Sequence, residues 1–388
     1  MRELNKIYLM HFFAGLSNAA SVTFTLYFLS HGLTQFQIGQ LFGFFMICLA
    51  IFNIPTGGIA DIFGHKTSVA IGLFFQATSF LLFFLYPNYY GFLLGMLSNG
   101  IGLAFQAGAL SSLIYELLHK ENLHENFQKV YGRANGYYLV AAMIGSPIGS
   151  LIYKFYPGFP YLLSFLFFLL ATIAVLFIKW EFRKKPYTFK YYFGTLVDGV
   201  SLTVRNRILM ATVIMGTALT VNRLVFNQNI SQPYQLSVGI DVAYIGLIAA
   251  AVAGVQALIY INAYKITKTI GENLSLLLII AVPSFSIIAL SFINTLIAIP
   301  IILIFYTGHA FRDPLFSHIS QKEVEPDKRS TMASTTSFLM AVFGAMMLPY
   351  WGKGVDIFGI HNILYVLGVF TFLIGIVGLI IFSTKRTD

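Results

Sequence analysis

The chain has 388 residues, of which 57% are apolar, 16% aromatic and only 10% charged, with a net charge of +9. A soluble domain carries about 25% charge, so the 24 Lys and Arg and 15 Asp and Glu here cannot solvate a fold of this length. That scarcity excludes a disordered chain, a disulfide scaffold and a soluble nucleic-acid-binding domain, and it leaves a polytopic membrane protein.

A helix needs about 20 apolar residues to cross roughly 30 Å of hydrocarbon. Twelve such runs occur, near 7–29, 37–60, 68–86, 90–117, 134–154 and 160–179, then 207–230, 242–264, 273–292, 295–319, 330–351 and 361–383. The first continues to Leu29, too far for the hydrophobic stretch of a cleaved signal peptide. With the N-terminus inside, 20 of the 24 Lys and Arg fall in cytoplasmic segments and only Lys154 and Lys353 in external turns. Loop cations favour the cytoplasmic side, so both termini are expected there, in a cell membrane, and the +9 marks topology rather than a nucleic-acid partner. The one cysteine, Cys48, lies in an apolar run and says nothing of redox compartment.

The expected fold is all-α, an integral membrane protein of twelve transmembrane helices. Residues 1–179 form an N-terminal six-helix half, 180–206 a basic cytoplasmic linker with Arg183-Lys184-Lys185-Pro186, and 207–388 a C-terminal half. The halves echo each other. Gly32-Leu33-Thr34-Gln35-Phe36-Gln37-Ile38-Gly39 aligns with Gly239-Ile240-Asp241-Val242-Ala243-Tyr244-Ile245-Gly246, and the same offset sets Gly64 on Gly271. Two such halves, pseudo-symmetric about an axis along the membrane normal, describe a transporter with its site at their interface.

In chain order, the first span offers His11 and Asn18 as cavity-lining polar residues. Its aromatics Phe12, Phe13, Phe24, Tyr27 and Phe28 are expected mostly to face lipid. The second span ends Asn53-Ile54-Pro55-Thr56-Gly57, and the loop after it reads Gly57-Gly58-Ile59-Ala60-Asp61-Ile62-Phe63-Gly64-His65-Lys66. Here the chain resembles the major facilitator superfamily, whose loop signature is Gly-x-x-x-Asp-Arg-x-Gly-Arg-Arg/Lys. Gly57, Asp61, Gly64 and Lys66 match, His65 replaces a basic residue, and Ile62 departs from the family's Arg or Lys. Asp61 can face the positive end of a helix from the other half and act as a latch; the plainer reading is a capping Asp in a tight hairpin. The stretch from Asn53 to Gly57 also resembles the Glu-x-Pro-Thr-Gly of many uncharacterised bacterial members, with Asn53 in the acidic place, so proton coupling, if present, needs another group.

The fourth span adds Asn99 and Gln106 as cavity residues and ends at Glu116. The fifth carries Gly145-Ser146-Pro147-Ile148-Gly149-Ser150, similar to the superfamily signature Gly-Pro-x-x-Gly-Gly of exporters working as antiporters. Gly145 and Gly149 keep its spacing and Pro147 is displaced by one place; small residues four apart are also a general recipe for close helix contact. In the seventh span Arg223 lies near the middle, sharing a face with Asn227. A charge at that depth is costly. Arg223 therefore holds an anionic substrate, pairs with a carboxylate (Asp313 or Glu116 being nearest in kind), or snorkels to the surface. The tenth span sets Tyr306, His309 and Asp313 on one face, with His309 and Asp313 as candidate proton carriers; a lone histidine in a helix is as readily a hydrogen-bonding group alone. Arg312, pointing about 100° away, is expected to serve a different partner. Glu116 and Asp313 each precede an Arg, Arg133 and Arg329, at nearly equal spacing, which suits two cytoplasmic gate ion pairs or ordinary loop charge.

No P-loop, zinc-protease, Cys-pair or Gly-x-Ser-x-Gly signature is present, so no enzyme activity, cofactor or metal is expected. The expected protein is a monomeric secondary transporter working by alternating access, with the proton as coupling ion and export of a small amphipathic or anionic compound as its direction. Uptake of a small metabolite is the alternative, and a non-transporting sensor the third.

Overall fold

The computed structural model describes residues 2–120, 123–180, 206–323 and 329–383. The expected linker thus falls almost wholly outside the described residues. Everything regular among them is helical. In the N-terminal half these are α1 (Arg2–Leu16, continued by Asn18–Ser21 and Phe24–Ser30), α2 (Gln35–Phe63), α3 (His65–Leu85), α4 (Tyr89–Gln106, resuming as Ala109–Lys120), α5 (Phe127–Phe155) and α6 (Phe159–Leu176). The C-terminal half repeats the count. It has α7 (Arg207–Val225, a π-turn at Phe226–Ile230, then Ser231–Ser237), α8 (Val242–Ile270), α9 (Glu272–Leu290), α10 (Ala298–Glu323), α11 (Arg329–Phe358) and α12 (Ile360–Ser383).

Ten of these are long and apolar enough to span a membrane, eleven when the two arms of α1, bent by 42°, count as one. The twelfth, α10, has 26 residues, about 39 Å of helix, but Arg312, Asp313 and its histidines dilute its apolar character. Helix starts follow local chemistry. Asn88 caps α4 by accepting the Gly91 amide at 3.0 Å, and Asn206 caps α7 by accepting those of Ile208 and Leu209, caps worth ~1 kcal/mol each. The repeat is physical as well as textual. Gly32 and Gly239 stand at φ +81° and +87°, and Gly64 and Gly271 at +96° and +83°, a left-handed turn that glycine enters without strain.

The described residues divide into two compact units that do not follow the chain midpoint. The first takes the N-terminal half without Thr34–Gly43 but with Asp241–Ala250; the second takes Thr34–Gly43 and the C-terminal half without Asp241–Ala250. Thus the first turns of α2 belong with the C-terminal helices, and those of α8 with the N-terminal ones.

In the first unit α1 lies against α5 at glycine: a Cβ on Gly145 would stand 2.5 Å from the Leu16 carbonyl oxygen, and one on Gly149 1.9 Å from that of Ala19. Only a missing side chain lets the backbones come so close. Beyond the break in α1 at Val22–Thr23, Phe24, Tyr27 and Phe28 join Phe80, Phe83, Phe92 and Tyr161 in an aromatic cluster. Tyr27 and Phe28 are buried. This corrects the lipid-facing expectation: the bent end of α1 packs on α3, α4 and α6, and it turns its rings inward. The second unit has its own core, with Met215 and Leu219 of α7, Ile279 and Ile280 of α9 and Phe311 and Leu315 of α10 at its centre.

Candidate functional site

Two reciprocal ties hold the exchanged helix starts. In the second unit, the start of α2 rests on α11, where a Cβ on Gly39 would lie 2.5 Å from the Leu348 carbonyl oxygen. The Asp356 carboxylate accepts the Gln35 and Phe36 amides at 2.9 and 2.8 Å, placing negative charge on the positive end of α2. Asn229 of the π-turn donates to the Gln35 carbonyl at 2.9 Å. In the first unit, the start of α8 rests on α5. A Cβ on Gly246 would lie 2.0 Å from the Ser146 carbonyl oxygen, and Ser150 donates to the Ala243 carbonyl at 2.9 Å. Lys154 pairs with Asp241 at 2.7 Å while Asp241 accepts the Ala243 amide. The Lys154 ammonium and that amide hold the Asp241 carboxyl below the usual carboxylate range. Gly39 and Gly246 are partners in the repeat, and Lys154 stands on α5 as Asp356 stands on α11. The fold is echoed, with the polarity of the charge contact rearranged.

The polar cluster of the second unit is built by α7 and α10. Buried His309 hydrogen-bonds Asn222 at 3.2 Å, Asn222 donates to Thr371 at 2.9 Å, and Thr371 donates to the Leu367 carbonyl at 2.7 Å. The chain fixes its own direction. Because the Thr371 hydroxyl spends its proton on the carbonyl, it accepts from the Asn222 amide, so Asn222 turns its oxygen to His309 and the His309 proton sits on Nε2. His309 Nδ1 is buried without a partner. Tyr306 donates to Asn227, and the rings of Phe226 and Phe305 meet at a tilt behind them, 4.7 Å apart and fully buried. Of the face expected on α10, Tyr306 and His309 therefore serve α7. Asp313 turns to α8, accepting from the Tyr260 hydroxyl at 3.0 Å.

The expected separation of Arg312 from Asp313 is corrected. Arg312 binds Asp313 through Nε at 2.8 Å and a terminal nitrogen at 2.7 Å, with its other nitrogen on Thr220 at 3.0 Å. Its long stem lets the guanidinium swing back onto a neighbour whose own side chain is 47% exposed, despite the 100° between their Cβ directions. Arg223, half-buried, makes no hydrogen bond or ion pair with any described residue of its unit, so of the roles open to it a pairing with Asp313 is not made.

In the first unit the expected polar residues are dispersed. Asn18 donates to the Gly15 carbonyl and to Tyr138 at 3.1 Å. Gln106 pairs with Gln76 where α3 and α4 meet at Gly72 and Gly102. The Asn99 carbonyl oxygen is buried without a partner. Glu116 binds His65 at 3.0 Å and the Trp180 indole at 2.9 Å, while exposed Arg133 lies over the Tyr8 ring. The expected Glu116–Arg133 pair is thus replaced, because the loop histidine that stands in for a family basic residue reaches Glu116 first. Lys66 is half-buried, Gly64 supplies the left-handed turn into α3, and Pro147 lends its carbonyl to Ser150. The placement of Gly57 and the side chains of Asp61 and Arg329 lie outside the described residues. A cavity of about 400 Å³ lies between α8, α9 and α10, with Tyr264, Lys268, Glu272 and His318 on its wall; none of the expected cavity residues lines it.

The Asp356 and Asp241 ties went unseen in the sequence, although the matched octapeptides starting at Gly32 and Gly239 mark both places. A family model for the Major Facilitator Superfamily matches residues 7–346. An uncharacterized MFS-type transporter of Methanocaldococcus jannaschii is 25% identical over 365 residues, 89% of each chain. Among solved structures, the nucleoside transporter NupG superposes with a TM-score of 0.83 at 14% identity, over 99% of this chain and 100% of that one. A bacterial homolog of the human lysosomal transporter Spinster, inward-facing and unoccupied, gives 0.77 at 13% identity, over 100% and 98%. At such identities these two speak for the fold alone. The match across most of its length, on twelve helices in two echoed halves, makes this chain a member of the Major Facilitator Superfamily, a multi-pass membrane transporter.

Proposed function

We propose that the chain is a secondary active transporter of the cell membrane that works by alternating access and exports a small amphipathic or anionic compound in exchange for protons. It acts as a monomer with both termini in the cytoplasm. The observation that carries this reading is the reciprocal exchange of helix starts, α2 into the second unit and α8 into the first. A static membrane anchor has no need of it. The ties are also of a kind that opens readily: exposed ion pairs such as Lys154–Asp241 are screened by solvent and contribute little, and the Asp356 contact is made to amides that water can serve as well. Their release and re-formation are the motions that open the site to one side and then the other.

Asp313 is the coupling carboxylate in this reading. It is the counter-charge of Arg312 and the acceptor of Tyr260, so a proton on Asp313 removes the charge pairing with Arg312 and weakens the contact with Tyr260, and His309 Nδ1 offers a second proton site nearby. Proteoliposomes with an imposed pH gradient test this. Asp313→Asn should keep downhill exchange and lose gradient-driven flux, and undiminished driven flux in that variant would remove the proton from the mechanism. Gly145 and Gly149, the residues that lean towards export, are placed by packing against α1. That contact serves an importer equally, and it keeps uptake of a small metabolite as the second reading.

A further inference from the structure

The charge balance of the second unit points to the chemical class of the transported compound, an inference that rests on the transport reading above. Away from the first and last two turns of α7 to α12, the described Lys, Arg, Asp and Glu residues are Arg223, Arg312 and Asp313. Arg312 is satisfied by Asp313 and Thr220. Arg223 makes no hydrogen bond or ion pair with a described residue, so among these three one positive charge is left over.

An arginine at mid-span is tolerated where it faces a partner or a water-filled cavity. Arg223 is half-buried rather than sealed, and it belongs to the same stripe of α7 as Thr220 and Asn227. The π-turn begins at Phe226, within one turn of it, and such widened turns are frequent at functional sites. Beside it, Asn227 and Tyr306 are also half-buried and offer polar groups, while Phe226 and Phe305 are fully buried behind them.

We infer that Arg223 is the anion anchor of the transport site and that the substrate is an organic anion with one net negative charge. The missing counter-charge is brought by the substrate. The planar guanidinium fork suits a carboxylate or sulfonate taken by two parallel hydrogen bonds. A dianion would overfill the balance, and a cation would meet an uncompensated like charge.

The test needs no knowledge of the natural substrate. In a Cys48→Ser background, a reporter thiol is introduced by Leu224→Cys and, separately, by Asn227→Cys in case one variant fails to fold. The rates with an anionic sulfonatoethyl and a cationic trimethylammonium thiosulfonate reagent are compared with those of a small thiol in solution. With Arg223 present the anionic reagent should be favoured about tenfold, as for one unit charge within a helical turn. Arg223→Gln should abolish that preference and Arg223→Lys should keep most of it. A preference unchanged by Arg223→Gln would overturn the inference, because Arg223 would then be neutralised by the protein itself. Benzoate, cinnamate or benzenesulfonate should slow the reaction where benzamide does not, and only with Arg223 in place; protection by none of the three anions, or equal protection by benzamide, would overturn the substrate class. Anion preference without flux in proteoliposomes would sink the transport reading alone.

Discussion

Gly246 is the point at which the α8 start can be pushed off α5 by a single methyl group. A Cβ there would lie 2.0 Å from the Ser146 carbonyl oxygen and 2.5 Å from the Ser150 hydroxyl, where ordinary contact begins at 3.4 Å. In Gly246→Ala the backbone of α8 must retreat by ~1.4 Å, and overpacking of this kind costs about 1–3 kcal/mol. At 1.4 kcal/mol per tenfold, the tied arrangement should lose roughly 5- to 150-fold in population against an untied one. Nitroxides placed by Phe155→Cys and Tyr244→Cys, both exposed positions flanking the tie, report the separation by double electron–electron resonance in a Cys48→Ser background. The parent protein should give a short distance, and Gly246→Ala a longer or bimodal one. Gly136→Ala on the same α5, where a Cβ meets nothing within 4 Å, should leave the distribution alone. An unchanged distribution in Gly246→Ala would refute the idea that this contact is a movable tie.

Acid should act on the same pair with a definite sign. The Asp241 carboxyl is held below its ordinary value by Lys154 and the Ala243 amide, so its contribution to the tie is fully present above the ordinary value and is lost as pH falls from there through the lowered one. The label distance should therefore hold at neutral pH, begin to lengthen as pH enters the usual carboxylate range and finish only below it; a distance unmoved by acid, or the same change in Asp241→Asn, would contradict this. In the buried chain of the second unit, Asn222→Leu strands the His309 Nε2 proton and should cost about 1–3 kcal/mol. An unaltered thermal unfolding midpoint in detergent would remove the directional network. Glu116→Ala should free the Trp180 indole, and in a Trp351→Phe background its fluorescence should become more accessible to iodide. Unchanged quenching would mean that the carboxylate does not hold the indole.

The helices were legible because hydropathy and cation placement report the bilayer directly, and because Gly32, Gly64, Gly239 and Gly271 announce turns that need positive φ. What lay inside each span was less legible. Pro and Gly are absent from the breaks of α1 at Ser17 and Val22–Thr23 and from the π-turn after Val225, so no residue type marks them. The break in α4 at Ala107-Gly108 was marked by its glycine. The aromatic cluster around Tyr27 and Phe28 was misread because lipid and protein interior are equally apolar, and composition cannot distinguish them. For the site, Arg223, Asn227, Tyr306 and His309 stood out as polar groups in apolar runs, but which group each would meet was hidden. Arg312 was the instructive case: Cβ direction set the expectation, and a flexible four-atom stem overrode it. The ties of Asp356 and Asp241 depend on helices far apart in the chain, and only tertiary structure could join them.

The central claim, a proton-linked carrier for a small organic anion, is tested most directly by counterflow in proteoliposomes holding the purified full-length protein. A panel of labelled organic anions, neutral isosteres and cations is offered with and without a pH gradient. Protein-dependent flux should be confined to monoanions, raised by the gradient and lost in Arg223→Gln. Flux of neutral compounds or cations at equal rate, or anion flux indifferent to both the gradient and Arg223, would contradict it.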